Sequence, residues 1–160
     1  MPLKLIKHLP SQAQRAMSLI ELLMVLLVLG IVIGITAPQM IGSMRKNQLK
    51  EAATQLVTDL NEAKSSSRRY NSNVSIDFIG NGYTINQATP AKNETHHLNS
   101  NISLRVLEGG TNLSYLSPYG EAGLAGTLGW IFEVKHQQSG QSLYVKVVGV
   151  SGKVILSDSY

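Results

Sequence analysis

The sequence predicts an α+β protein in which one long N-terminal hydrophobic helix packs on a C-terminal antiparallel β-sheet or sandwich domain. Three features predict it. Leu22 to Met44 is free of charged residues. Leu49 to Tyr70 repeats apolar and small residues at spacings of four and three, the period of one helix face. From Val74 onward, apolar and polar residues alternate in short runs punctuated by Gly, Asn and Ser, the period of strands.

The apolar run sets the first element. At about 1.5 Å per residue, a helix over Met17 to Ala37 reaches about 31 Å, enough to cross a bilayer core. Lys4, Lys7 and Arg15 precede it, and Arg45, Lys46 and Lys50 follow it. The positive-inside count is a near tie and leaves the orientation open. A cleaved secretory signal has an apolar centre of about 7–15 residues and a small-x-small site. This run is longer, and Pro38 stands directly behind Thr36-Ala37. An uncleaved anchor is the plainer reading of the run taken by itself.

Glu21 complicates that reading. It is the one charged residue between Arg15 and Arg45. At a membrane surface its carboxylate could snorkel to the headgroups. Deeper in lipid an ionised acid costs about 2.5–3.5 kcal/mol and needs a partner. Met24 and Val25 occupy the helical positions where a base would sit. The partner must be another group, on this molecule or on a different one.

Ala16-Met17-Ser18-Leu19-Ile20-Glu21-Leu22-Leu23-Met24-Val25 resembles the N-terminus of type IV pilin-like proteins. That pattern is a short basic leader, a cut after a small residue, and an apolar helix with Glu at its fifth position. Where the family usually has Gly and Phe around the cut, this chain has Ala16 and Met17. The resemblance implies that prepilin peptidase cuts between Ala16 and Met17 and methylates the new Met17 amine. It implies a cytoplasmic leader and an extracytoplasmic C-terminal part, anchored in the inner membrane before assembly. It also implies that Glu21 meets the Met17 ammonium of a neighbouring subunit. A buried ion pair of that kind adds little net stability but sets register, because a misaligned subunit leaves two charges unpaired. Gly30, Gly34 and Pro38 weaken a helix, and the resemblance implies that the segment bends or partly melts there.

Beyond the membrane, Leu49, Ala53, Leu56, Leu60, Ala63, Ser67 and Tyr70 form one stripe, widened by Ala52 and Val57. Lys46, Lys50, Asp59, Glu62 and Arg69 are assigned to the opposite, solvated side. The helix is expected to continue to about Tyr70. Strands follow at Val74–Phe78, Tyr83–Asn86, Ile102–Leu107, Trp130–Lys135, Leu143–Val148 and Lys153–Leu156, six or seven in all, mostly joined as hairpins. The polar stretch 86–99, with Pro90 and His96-His97, is expected to be loop. So is the glycine-rich stretch 109–129. The domain reading is a leader over 1–16, a membrane or filament-core helix over 17–44, its amphipathic continuation over 45–72, and a β domain over 73–160.

A second resemblance is narrower. The junction Asp59–Ile76 and the closing Val147-Val148-Gly149-Val150-Ser151-Gly152-Lys153-Val154 are similar to the GspH/FimT minor pseudopilin family. In that family an Arg stands where this chain has Lys64. Some FimT-like members bind DNA through a Gly-Arg-x-Arg turn. Here that turn reads Gly152-Lys153-Val154-Ile155, which keeps one cation. Lys153 is the candidate DNA contact, with Lys135, Lys146, Arg68 and Arg69 as helpers if they converge. One phosphate contact is weak at physiological salt.

Net charge is +4, but from Arg45 onward 11 Lys/Arg face 9 Asp/Glu. That is no strong nucleic-acid footprint. The chain has no cysteine, so disulfides, thiolate metal sites and cysteine nucleophiles are excluded. It carries no Gly-x-Ser-x-Gly, P-loop or His-Glu-x-x-His motif. No catalytic residue, metal site or cofactor is expected, and His96 and His97 are expected to be solvated. The leading expectation is a minor pilin or pseudopilin of a type IV pilus or type II secretion filament. Its partners would be other pilin or pseudopilin subunits, prepilin peptidase and inner-membrane lipid. The alternatives are a DNA-binding minor pilin of a competence pilus and an uncleaved membrane-anchored domain.

Overall fold

A computed structural model describes residues 18–123 and 129–160, apart from the side chains at positions 37 and 38. The chain divides into two compact units, Met1–Gln39 and Met40–Tyr160. Helix α1 (Leu19–Arg69) runs through both. It starts on Ser18, whose carbonyl accepts from the Glu21 and Leu22 amides at 3.0 and 3.2 Å. The Ser18 hydroxyl also accepts from the Glu21 N–H at 3.3 Å, satisfying a donor the helix itself leaves unpaired. Arg68 and Arg69 occupy the last turn, where cations complement the helix dipole.

In the first unit the large apolar side chains from Leu19 to Ile35 are all exposed. Among the described residues α1 is the one helix long and apolar enough to cross a membrane. The helix is continuous through Gly30, Gly34 and position 38, where proline supplies no amide hydrogen, and the space around both glycines is open.

In the second unit the predicted stripe is the buried face. Leu49, Ala53, Leu56, Leu60, Ala63 and Ser67 are all buried. Two predicted members of the helix pattern move. Tyr70 lies beyond the last helical residue, next to the positive-φ Asn71, and its side chain is 43 % exposed. Asp59, assigned to the solvated side, is 6 % exposed. A hydrogen bond from the buried Tyr83 holds it there, and periodicity alone does not register that partner.

Nine strands, all paired antiparallel among the described residues, form two sheets. The first holds β1 (Val74–Ile79), β2 (Gly82–Gln87), β3 (Lys92–His97), β5 (Asn112–Leu116) and β6 (Glu121–Ala122), ordered β3-β2-β1-β5-β6. The second holds β4 (Ile102–Glu108), β7 (Gly129–His136), β8 (Ser142–Val148) and β9 (Lys153–Ser157), ordered β4-β7-β8-β9. The six predicted strands are present. Two stretches expected as loop are not wholly so. β3 lies within 86–99 and pairs with all of β2, from Gly82↔His97 to Gln87↔Lys92. It is polar and mostly exposed on both faces, so it shows no alternation. β5 and β6 lie within 109–129, and β5 buries Leu113 and Tyr115. Its apolar signal is three residues, Leu113, Tyr115 and Leu116, without clean alternation, in a stretch rich in glycine.

One core joins the sheets and the helix. Phe78 of β1 stacks on Phe132 of β7 at 4.2 Å between ring centroids, 29° from parallel, an aromatic contact that adds to simple burial. Asn81, in the β1–β2 turn, donates to the Ile102 carbonyl at 2.6 Å and accepts from the Leu104 amide at 3.0 Å. Its side chain thereby stands in for backbone pairing between the two sheets. Gly109 lies directly against the Trp130 ring, where a Cβ would overlap the indole. Its φ of +96° also disfavours any other residue.

Tyr115 is fully buried, and its phenol oxygen has no hydrogen-bond partner among the described residues. Burial raises its pKa above the ordinary value of 10.0. Tyr115→Phe removes an unsatisfied hydroxyl while keeping the ring, so stability at neutral pH should rise by about 1 kcal/mol. The wild-type protein has a folded-state pKa above the unfolded one. The corresponding stability is fully present below about pH 10 and is lost as pH rises further. The variant should therefore show a shallower alkaline loss. Denaturation followed by fluorescence of Trp130, the sole tryptophan, at neutral and alkaline pH measures both effects.

Candidate functional site: the helix start and the C-terminal turn

The sequence-derived assembly residues lie at the helix start. Ala16 and Met17 lie outside the described residues. Glu21 occupies the first turn, exposed, and makes no ion pair among the described residues. With Ser18 three residues before it, Glu21 also completes the Ser-x-x-Glu pattern of a helix capping box. That local role was readable from the four residues alone and was missed beside the charge argument.

The candidate nucleic-acid residue, Lys153, opens β9 directly after the β8–β9 turn. Lys64 donates from its ammonium to the carbonyls of Ser151 at 2.7 Å and Gly152 at 3.5 Å. The Ala122 amide donates to the Val150 carbonyl at 2.9 Å. Helix and first sheet together therefore hold the turn that precedes Lys153. Gly152 has φ +58°, and a Cβ on it would stand 2.8 Å from Cε1 of Tyr115. Gly152→Ala should cost about 1–3 kcal/mol, combining left-handed strain with displacement of a buried ring. A lower denaturation midpoint with an unchanged slope would report it.

Lys153 is exposed and pairs with Val148, while Lys146 pairs with Ile155. The two lysines are therefore diagonal neighbours on one face of the second sheet. Lys135 and Arg105 share that outer face, on β7 and β4, with Glu133 paired opposite Arg105. The C-terminal Tyr160 reaches across it, donating to Glu108 and meeting Tyr144 edge-on at 5.9 Å. Arg68 and Arg69 have other surroundings. The Arg68 side chain abuts Gly120, and the Arg69 guanidinium lies 5.5 Å from the Tyr70 ring centre. Lys64 is committed to carbonyls.

A third constellation escaped sequence reasoning. Asp59 of α1 accepts from the Tyr83 hydroxyl of β2 and from Gln55 Nε2 at 2.8 Å. His96 of β3 places Nδ1 3.4 Å from the same carboxylate and stacks on Tyr83 at 5.2 Å, 7° from parallel. Burial first, and then the hydrogen bond to Asp59, raise the Tyr83 pKa. The phenol therefore stays a donor. Outside this cluster Lys92 bridges Glu94 at 3.0 Å and Glu62 at 3.4 Å, and the Glu94 bond in particular raises its pKa. His96 is thus no solvated loop residue. A second polar tie runs from Gln48 to the buried His136 of β7 at 3.3 Å. The Ser139 amide donates to His136 Nδ1 at 3.3 Å, so Nε2 carries the hydrogen that Gln48 Oε1 accepts. The described residues hold no group of three or more His, Asp or Glu placed to bind a metal. These contacts fasten one helix to two sheets.

Residues 11–37 match the family model described as the prokaryotic N-terminal methylation motif. Among solved structures, the chain is similar to the type IV minor pilin FimU of Pseudomonas aeruginosa strain PAO1 in two crystal forms. In the P21 form the TM-score is 0.56 at 17% identity, covering 70% of this chain and 90% of that one. In the P65 form it is 0.52 at 17% identity, covering 68% and 91%. No curated protein sequence matches the chain.

Proposed function

We infer that this chain, type IV pilin-like in its N-terminal motif and its fold, is a minor pilin or pseudopilin subunit of a type IV pilus or type II secretion filament. The observation that carries the reading is the apolar helix from Leu19 to Ile35, every large apolar side chain of which is exposed among the described residues. Lipid satisfies such a surface before assembly, and the helices of sister subunits satisfy it afterwards. A filament core needs that exchange to be nearly neutral, and a helix apolar but for Glu21 provides it.

On this reading prepilin peptidase removes residues 1–16 and the Met17 amine is methylated. The chain then sits in the inner membrane with its β domain outside. Its work is assembly and contact, with no turnover. Glu21 supplies register against a neighbour's Met17 amine, and Gly30, Gly34 and Pro38 supply helix compliance. The fractions to compare are membranes and sheared filaments. Mass spectrometry should find a chain beginning at N-methylated Met17 in both. A mature chain that keeps Met1, confined to membranes, would return the protein to the class of uncleaved anchors.

A second reading, DNA capture, draws on the diagonal pairing of Lys146 and Lys153 beside Lys135 and Arg105. Few phosphate contacts imply a shallow salt dependence. Lys153→Ala should then weaken duplex binding and reduce the salt slope by about one. Binding unchanged in that variant removes this reading and leaves the first intact.

A further inference from the structure

A groove of about 530 Å³ opens in the second unit between α1 and the C-terminal strands. Its apolar floor is Leu49 of α1, Leu143 of β8 and Leu156 of β9. Lys46 and Lys50 line it from the helix, one turn apart, and Asp158 lines it from the residue just after β9. These three charges have no hydrogen-bond or ion-pair partner among the described residues. The volume lies within the usual range for small-molecule sites. Position along the chain narrows the occupant. Lys46 follows the charge-free run Leu22–Met44 by two residues. Met40, Ile41 and Met44, in the same compact unit, expose their apolar side chains just before it. At about 1.5 Å per residue, Lys46 and Lys50 stand about 3 and 9 Å beyond Met44 along the axis, the depth of a headgroup layer.

We propose that this groove binds one phospholipid whose headgroup carries both a phosphate and a primary ammonium, while the subunit is still in the membrane. The charge pattern selects that chemistry. Two ammonium groups on one wall suit a phosphate, which takes charge-assisted hydrogen bonds from both. A single carboxylate on the opposite wall suits a cationic amine with N–H groups to donate. The leucine floor takes the first methylenes of an acyl chain. A lipid with a plain anionic headgroup leaves Asp158 facing negative charge. A quaternary amine offers Asp158 no donor. The proposal rests on the membrane-anchored reading above, and it adds a specific ligand to it.

The test uses the full chain in detergent, offered an equimolar mixture of phosphatidylethanolamine, phosphatidylcholine and phosphatidylglycerol and examined by native mass spectrometry. One phosphatidylethanolamine should be retained at least fivefold over either competitor. Lys46→Gln with Lys50→Gln should reduce its retention about tenfold. Asp158→Asn should abolish the preference over phosphatidylcholine while leaving total lipid retention in place. Equal retention of the three lipids by the wild-type chain overturns the proposal, as does full retention by the double lysine variant. Displacement of the lipid by an equal concentration of water-soluble glycerophosphoethanolamine overturns the acyl-chain part. Alkaline carbonate extraction keeps the two readings separate. A chain released by carbonate refutes the anchor, whereas a chain that stays in the membrane but shows no lipid preference refutes the groove alone.

Discussion

Asp59→Ala should lower the stability of the β domain by about 3 kcal/mol, the largest loss expected from any single polar substitution in the chain. The carboxylate is buried and serves Tyr83, Gln55 and His96 at once. Removing it leaves the buried Tyr83 hydroxyl without its acceptor, while the exposed Gln55 amide can turn to water. An orphaned buried donor costs about 1–3 kcal/mol, and the hydrogen bond lost to a charged acceptor is itself among the stronger kind, about 1.5–3 kcal/mol. Asp59→Asn keeps an acceptor oxygen and nearly the same volume, so its loss should be smaller, about 1–2 kcal/mol. Tyr83→Phe tests the other end. In a double-mutant cycle, Asp59→Asn and Tyr83→Phe should couple by at least about 0.5 kcal/mol, since they share one hydrogen bond. Trp130 fluorescence on denaturation of the detergent-solubilised chain supplies the readout. A loss under about 1 kcal/mol for Asp59→Ala would mean that the cluster is solvated and does not hold helix to sheet.

That cluster marks where sequence reading runs out. The helix stripe was legible because Leu49, Ala53, Leu56 and Leu60 repeat at helical spacing, and burial of an apolar face follows from the repeat. The strands of the second sheet were legible because Trp130, Phe132 and Val134 recur at every second residue, with Glu133 and Lys135 between and after them. Asp59 breaks the correspondence between polarity and exposure. Its partners are 24 and 37 residues away in the chain, on strands whose register no local pattern reveals. β3 hides for a related reason. An edge strand buried on neither face carries no alternation, and pairing with β2 alone defines it. Lys64 was recognisable only as a basic residue standing for an arginine. Its hydrogen bonds to the turn at Ser151 and Gly152, 87 and 88 residues further on, are a consequence of tertiary closure.

Glu21→Gln should reduce incorporation into filaments by about a hundredfold while leader removal and membrane insertion continue. The substitution is chosen to separate two roles that Glu21 holds at once. As the third helical residue after Ser18 it donates its backbone N–H to the cap and completes the Ser-x-x-Glu capping pattern, where glutamine serves nearly as well as glutamate. As a charge it is the partner proposed for a neighbouring Met17 amine, and glutamine cannot neutralise an ammonium. Leaving that ammonium unpaired in an apolar bundle costs about 3 kcal/mol or more, and about 1.4 kcal/mol is a factor of ten. Glu21→Ala removes both roles and should be no better than Glu21→Gln. Ser18→Ala removes only the cap, at about 1 kcal/mol, and should assemble nearly as well as wild type. The ordering across the three variants carries the argument. If Glu21→Gln assembles normally and only Ser18→Ala and Glu21→Ala falter, Glu21 is a cap and the register of the filament comes from packing alone.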